Sequence, residues 1–279
     1  MQKLSKRLQA AADFVTPGNR VADIGTDHGF LPVYLVQSGR CPAAAAMDLR
    51  KGPLKRAQEH IEEAGLAGRI QIRLSDGMQM LSEGEADSVV IAGMGGLTVI
   101  QILNEGLNLL PGLKELVLGP QSDIAKVRRW LREHNIYIDK EDLVLETGKF
   151  YPVLHAVMQK PQMDEAYQKN RERMLGVLKK KLADELRIRQ LLDQYGECPV
   201  FGKHPGLVKL LERDRERETE ILRHLAAGKE AVLDKNSEED SGNIFEKNFG
   251  EKEDRRIQRE REAKMRLEET EVLLEILKA

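Results

Sequence analysis

Cysteine is scarce: the 279 residues hold two, Cys41 and Cys198, far apart and in no Cys-x-x-Cys pair. That argues against a disulfide framework and a thiolate zinc site, so the fold must rest on a hydrophobic core, and no metal is expected. Aromatics make up 4%, with one tryptophan, Trp130, expected in the core. No apolar run approaches the roughly 18 to 20 residues that cross a bilayer, and Met1 to Arg7 carries no apolar signal core. No membrane association is therefore expected, and the cytoplasm is the expected compartment. Neither sign of charge dominates: 44 Lys+Arg against 46 Asp+Glu leave a formal net charge of -2. The total does not announce a nucleic-acid binder, although local patches set phosphate contacts. At this length, with 41% hydrophobic residues, the chain can hold one sizeable core and a second unit.

What is present centres on Arg20 to Gly29, a short apolar strand that ends in an acidic residue and turns on two glycines. Such a turn makes a shelf at the carboxyl end of a strand, where open α/β sheets bind nucleotides. A dinucleotide site needs Gly-x-Gly-x-x-Gly, whereas here Gly25 and Gly29 bracket Asp27, whose charge would repel a pyrophosphate. A ligand with a sulfonium and an ammonium suits it better, as in S-adenosylmethionine. The turn resembles the first motif of class I methyltransferases, with Asp23, Gly25 and Gly29 in place and Asp27 where the middle glycine usually stands.

The rest of the first 160 residues keeps that register. Residues Met1 to Thr16 space Leu4, Leu8, Ala11, Ala12 and Val15 as an amphipathic helix with Lys6 and Arg7 on other faces, a lid on the sheet with a basic rim. A second strand over Ala43–Met47 ends at Asp48, 23 residues past Gly25, the expected partner of two ribose hydroxyls, followed by Leu49. A third over Ile70–Leu74 ends in Ser75-Asp76-Gly77, and a fourth over Asp87–Ile91 leads into Ala92-Gly93-Met94-Gly95-Gly96. The helix after it is expected to align Leu97, Ile100, Leu103, Leu107 and Leu110. Leu116–Leu118, a helix from Ile124 to Leu131, then Leu143–Thr147 and Tyr151–Met158 around Gly148 complete a sheet closed by a hairpin. Any one of Asp23, Asp48 or Asp76 could be a turn residue; three in succession at strand ends is the informative pattern.

Beyond Pro161 the composition turns to Glu, Lys, Arg and Leu, the signature of exposed helices, expected as a coiled-coil unit over 161–279. Leu175, Leu178, Leu182 and Leu186 form one stripe; Leu207, Leu211, Ile221, Leu222 and Leu225 form another. The acidic 234–250 stretch is expected to be a mobile linker. Lys179, Lys180, Lys181 and Arg187 cluster, and such runs serve equally as a solvated face or as a rail for phosphates.

Together these residues resemble the bacterial TrmK-type tRNA methyltransferases, which methylate N1 of adenine 22 in the D-arm. The resemblance rests on Leu4-Ser5-Lys6-Arg7-Leu8, Ala22 to His28, Ala92 to Gly96, and Arg129-Trp130-Leu131. It implies a class I, Rossmann-like domain with a mainly parallel seven-stranded sheet over 1–160. It further implies S-adenosylmethionine held by Asp23, Gly25, Thr26, Gly29, Asp48, Leu49, Asp76, Gly77, Ala92, Gly93 and Met94, with Asp27 and His28 facing the reaction. The partner implied is tRNA, met by Lys6, Arg7 and the tail cations Lys179, Lys180, Lys181 and Arg187, and a monomer is the working expectation. Two rivals stand beside this reading: a methyltransferase acting on another RNA or a small molecule, and a helical-arm scaffold with a vestigial nucleotide fold.

Overall fold

The computed structural model describes residues 2–236 and 245–278, with side chains over 2–227 and 254–278. By its packing the chain divides into two units, 1–171 with 189–204, and 172–188 with 205–279. In the first, α1 (Lys6–Phe14) precedes β1 (Val21–Ile24), α2 (Phe30–Gln37), β2 (Ala44–Asp48), α3 (Lys51–Glu63), β3 (Ile70–Leu74), β4 (Ser88–Ala92) and α4 (Gly96–Glu105). Then come β5 (Glu115–Gly119), α5 (Ile124–Glu133), β6 (Tyr137–Glu146) and β7 (Lys149–Val157). The seven strands form one sheet in the order β3-β2-β1-β4-β5-β7-β6. Strands β1 to β5 pair parallel, and β7 runs antiparallel to β5 and β6. The order reverses between β1 and β4, which opens a crevice at their carboxyl ends.

The central strands are apolar on both faces because helices cover both. Ala22, Ile24, Met47, Val89, Ile91, Leu116 and Leu118 join Val99, Leu103, Val127 and Leu131 of α4 and α5 in one core. The alternate residues Val21, Ala44, Ala46, Val90 and Val117 pack with Ala11, Ala12, Leu35, Ala57 and Ile61 from α1, α2 and α3 in the other. Small alanines in β2 let α3 approach. Ser5 caps α1, accepting from the Leu8 amide at 3.4 Å.

Two polar clusters brace this unit. Glu115, 2% exposed, accepts from the Thr16 amide (2.8 Å), Ser88 Oγ (2.6 Å) and His155 Nε2 (2.9 Å). His155 Nδ1 meets Asp139 at 2.5 Å, a residue turned inward where the β6 register shifts. Burial alone would lower the His155 pKa, but these carboxylate hydrogen bonds carry it up to about 9. Elsewhere Arg128 of α5 donates to Glu141 of β6 at 2.7 Å and to the carbonyls of Asp193 (2.9 Å) and Gln194 (2.8 Å). Those carbonyls belong to α7 (Glu185–Tyr195), which precedes α8 (Glu197–Phe201).

The remaining helices are α6 (Glu165–Leu182), α9 (Pro205–Asn236) and α10 (Phe245–Lys278). Within the second unit α9 and α10 pack antiparallel, with Lys278 on Glu212 at 3.3 Å and Arg266 near Glu218 at 3.9 Å.

Three expectations are corrected here. The buried face of α4 is Gly96, Val99, Ile102 and Leu103, which leaves Leu97 exposed on another side of the first turn, while Leu107 is exposed because the helix stops at Glu105 and the phase changes before Leu110. The stripe through Leu186 breaks at Ala183 (φ 53°), which leaves Leu186 64% exposed. The 234–250 linker is narrower than expected, since α9 runs to Asn236 and α10 starts at Phe245, and its residues 237–244 lie outside the described residues. Among the described residues no helix is long and apolar enough to cross a membrane.

Candidate active site

The turn after β1 carries Gly25 (φ 76°), His28 (φ 60°) and Gly29 (φ 65°) in left-handed conformation. The Gly25 and Thr26 amides both donate to the Met47 carbonyl at 2.8 Å, which pins the turn to β2. Gly25 takes a φ of 76° that strains any residue with a Cβ, and a Cβ there would also push aside the end of the Met94 side chain, whose Cε lies 1.8 Å away. Gly29 opens α2 and rests on α3, where an added Cβ would fall 3.1 Å from that of Ala57.

A cavity of about 330 Å³ opens over this turn. It is lined from the sheet ends by Asp23, Gly25, Asp27, Asp48, Ala92, Gly93 and Met94, and further by Phe30, Arg50, Gly119 and Gln121. Arg7 and Leu8 of α1, with Tyr151, Pro152 and Val153 of β7, complete the wall. Its volume lies in the range of small-molecule sites. Asp23 and Asp48 are each 6% exposed. Burial pushes the Asp23 carboxyl up to about 6, and the nearby Asp48 charge acts in the same direction. Asp48 Oδ1 accepts from the Arg50 amide at 2.7 Å. The Thr26 hydroxyl is buried beside the Asp23 carboxyl and pulls its pKa the other way, less strongly than burial raises it.

Asp27 is held from outside the cavity. Arg56 donates to its Oδ1 at 3.1 Å, and His28 Nε2 stands 3.5 Å from the same oxygen. The rings of His28, Phe30 and His60 stack, with centroids 5.1 Å apart for the first pair and 4.9 Å for the second. His60 Nδ1–H donates to the His28 carbonyl at 2.7 Å and so fixes the strained residue from α3.

Of the expected cofactor residues, the structure brings Asp23, Gly25, Asp48, Ala92, Gly93 and Met94 into one cavity, with Thr26 and Gly29 in the turn beneath. Asp76, Gly77 and Leu49 do not line it; Asp76 and Leu49 are exposed at the adjoining strand ends, where the Ser75 amide donates to the Asp48 carbonyl at 3.0 Å. Arg7, expected at the rim, lines the cavity, its guanidinium 5.1 Å from the Tyr151 ring centroid and 3.5 Å from Glu146. Lys6 is exposed, its amide bonded to Glu146 at 2.8 Å. The tail cations are engaged by acids of their own unit: Lys179 with Glu185 (3.0 Å), Lys181 with Glu275 (2.7 Å), and Arg187 with Glu268 and Glu269 (2.7 Å each). Lys180 is exposed and carries no ion pair among the described residues. Sequence reasoning missed Arg50, Phe30, Gln121, Tyr151 and Pro152; for Gln121 a signal existed in its place just past Gly119 at the end of β5. Among the described residues no cluster of three or more His, Cys, Asp or Glu could hold a metal.

A parallel sheet closed by an antiparallel hairpin, with a carboxylate-lined cavity at its switch point, defines a methyltransferase of the Rossmann-like class. Residues 4–154 match a family model described as a methyltransferase domain. The chain belongs to that family, and its relatives include tRNA methyltransferases. Over 154 residues it is 39% identical to the Bacillus subtilis (strain 168) tRNA (adenine(22)-N(1))-methyltransferase, a match covering 55% of this chain and 65% of that protein. The matched region thus spans just under two thirds of that relative. The crystal structure of the B. subtilis m1A22 tRNA methyltransferase TrmK superposes with a TM-score of 0.72 at 27% identity, covering 98% of this chain and 100% of that one. A Streptococcus pneumoniae structure in complex with S-adenosyl-L-methionine gives 0.66 at 25% identity, covering 95% and 100%.

Proposed function

We propose that this protein transfers the methyl group of S-adenosylmethionine to N1 of adenine 22 in the D-arm of tRNA, in the cytoplasm. The observation that carries the reading is the cavity over β1 and β2, where two buried carboxylates and a turn in left-handed conformation at Gly25 face the Gly93-Met94 loop. That donor set fits the cofactor: two acidic groups repel phosphate but suit hydroxyls and an ammonium. When bound, the cofactor supplies an electrophilic methyl on a cationic sulfur.

In this reading Asp48 accepts from the ribose diol, Asp23 and the Gly25 turn meet the amino-acid end, and Asp76 with Leu49 and Gly77 flanks the adenine. Adenine N1 keeps a free lone pair at neutral pH, so no base has to create the nucleophile. The protein's task is to hold N1 in line with the methyl at about 3 to 3.5 Å. Methylation leaves the base cationic, and Asp27 sets a carboxylate beside it. Asp27 Oδ1 is taken by Arg56 and His28, while Oδ2 receives no hydrogen bond among the described residues. His28 positions Asp27. The target base leaves its stack at a cost of a few kcal/mol, offset by stacking on Tyr151 beside Arg7 and by phosphate contacts from Lys6 and, among the tail cations, Lys180.

The test is nucleoside mass analysis of tRNA incubated with the protein and methyl-labelled cofactor. The expected product is 1-methyladenosine at position 22, absent when that adenine is replaced by guanine. Cofactor binding without transfer to any tRNA would overturn the substrate and favour a small-molecule methyltransferase. No cofactor binding would favour the scaffold.

A further inference from the structure

Resting on the proposed function, we infer that Gln121 reads the target base, gripping the N6–N7 edge of adenine and so selecting it over guanine. The loop that carries Gln121 is zipped to the loop after β4. The Gly93 amide donates to the Gly119 carbonyl at 3.1 Å, the Gln121 amide to the Met94 carbonyl at 2.8 Å, and the Gly96 amide to the Ser122 carbonyl at 3.0 Å. A Cβ on Gly96 would stand 2.3 Å from the Ser122 carbonyl oxygen, so the loops meet without room for a side chain there. Gln121 therefore has a fixed backbone, and its side chain lines the cavity. Its amide lies over Gly93, with Nε2 3.8 Å from where a Cβ on that glycine would be. Among the described residues that amide makes no hydrogen bond.

The reaction limits what can be read. Transfer to N1 requires the Watson–Crick edge to face the methyl with its lone pair free, so a donor to N1 would block the chemistry. Recognition is left to the N6–N7 edge, which presents one donor and one acceptor side by side. A carboxamide matches both at once, Oε1 accepting from N6–H while Nε2–H donates to N7. Guanine offers O6 and N7, two acceptors, and can satisfy only half of the amide. A bidentate pair of this kind discriminates by roughly ten- to a hundredfold. Asp27, already held by Arg56 and His28, is left to the developing charge.

The experiment compares wild type and Gln121→Ala on two tRNAs, one with adenine at position 22 and one with 7-deazaadenine, which lacks the N7 acceptor but keeps N1 and N6. Cofactor affinity and thermal stability are measured alongside. For wild type, kcat/KM is expected to fall about tenfold or more on the 7-deaza substrate. Gln121→Ala is expected to lose ten- to a hundredfold on adenine and nothing further on 7-deazaadenine, with cofactor Kd and Tm unchanged. Wild type indifferent to N7, losses that simply multiply, or a weakened cofactor Kd in the variant would each overturn the assignment while leaving the methyltransferase reading intact. Wild type that binds cofactor but fails on both tRNAs would overturn the substrate as well.

Discussion

Cofactor affinity should depend on pH through Asp23. Its carboxyl is 6% exposed and titrates near 6, against a usual 3.8, because burial and the Asp48 charge both disfavour ionisation. A folded-state pKa above the unfolded one means that the protonated group favours folding. The contribution is full below about pH 4 and lost as pH rises through about 6; two pKa units correspond to about 3 kcal/mol of ligand-free stability. Pairing with the cofactor's ammonium requires the ionised form. With a pKa near 6 about one molecule in eleven is ionised at pH 5 and about ten in eleven at pH 7, so affinity should rise about tenfold across that interval. Isothermal titration calorimetry in buffers of differing ionisation enthalpy would also register proton release on binding. Asp23→Asn cancels the ligand's own titration from the comparison. It should bind more weakly at pH 7, lose the pH dependence, and unfold at a higher temperature than wild type at pH 7 without ligand. A wild-type Kd flat from pH 5 to 7, or an Asp23→Asn variant with an unchanged profile, would refute the reasoning.

Other parts of the molecule give sharp outcomes. Gly196 has φ 88°, and an added Cβ would stand 2.6 Å from Glu141 Oε2 in the buried pair with Arg128; Gly196→Ala should cost about 3 to 5 kcal/mol in urea unfolding. His155 is carried from 6.5 up to about 9 by its hydrogen bonds to Asp139 and Glu115. Its stabilisation is full below pH 6.5 and lost as pH rises toward 9, so denaturation midpoints should fall over that window in wild type and stay flatter in Glu115→Gln. In tRNA binding titrations Lys180→Ala should lower affinity and reduce the salt slope by about one unit, whereas Lys181→Ala, whose ammonium is held by Glu275 at 2.7 Å, should change both little.

The turn from Asp23 to Gly29 was legible because its signal is local: an apolar strand, an acidic stop and two glycines within ten residues. The parallel strands were legible as short buried runs, since a sheet covered on both faces needs no polar alternation. What escaped the reading was set by distant partners. Arg7 reaches the cavity because α1 packs beside β6 and β7, where Glu146 and Tyr151 draw its guanidinium inward, and nothing within seven residues of Arg7 records that. Likewise the hold of His60 on the His28 carbonyl joins positions 32 apart. Helical phase failed wherever one residue interrupts it, as Ala183 does before Leu186. Between a solvated face and a phosphate rail the cations of 179–187 stayed open, because sequence shows their spacing but not the acids of α10 that meet Lys181 and Arg187.

Calorimetric titration of the full chain with S-adenosylmethionine, set beside the Asp48→Asn variant, tests the cavity most directly. Removing a carboxylate that takes ribose hydroxyls should weaken binding by roughly ten- to a hundredfold, as expected for hydrogen bonds to a charged group. Stability should hold or rise, because Asp23 is relieved of a neighbouring charge. Wild-type affinity retained in Asp48→Asn, or no binding by the wild-type protein, would contradict the assignment of this cavity to the cofactor.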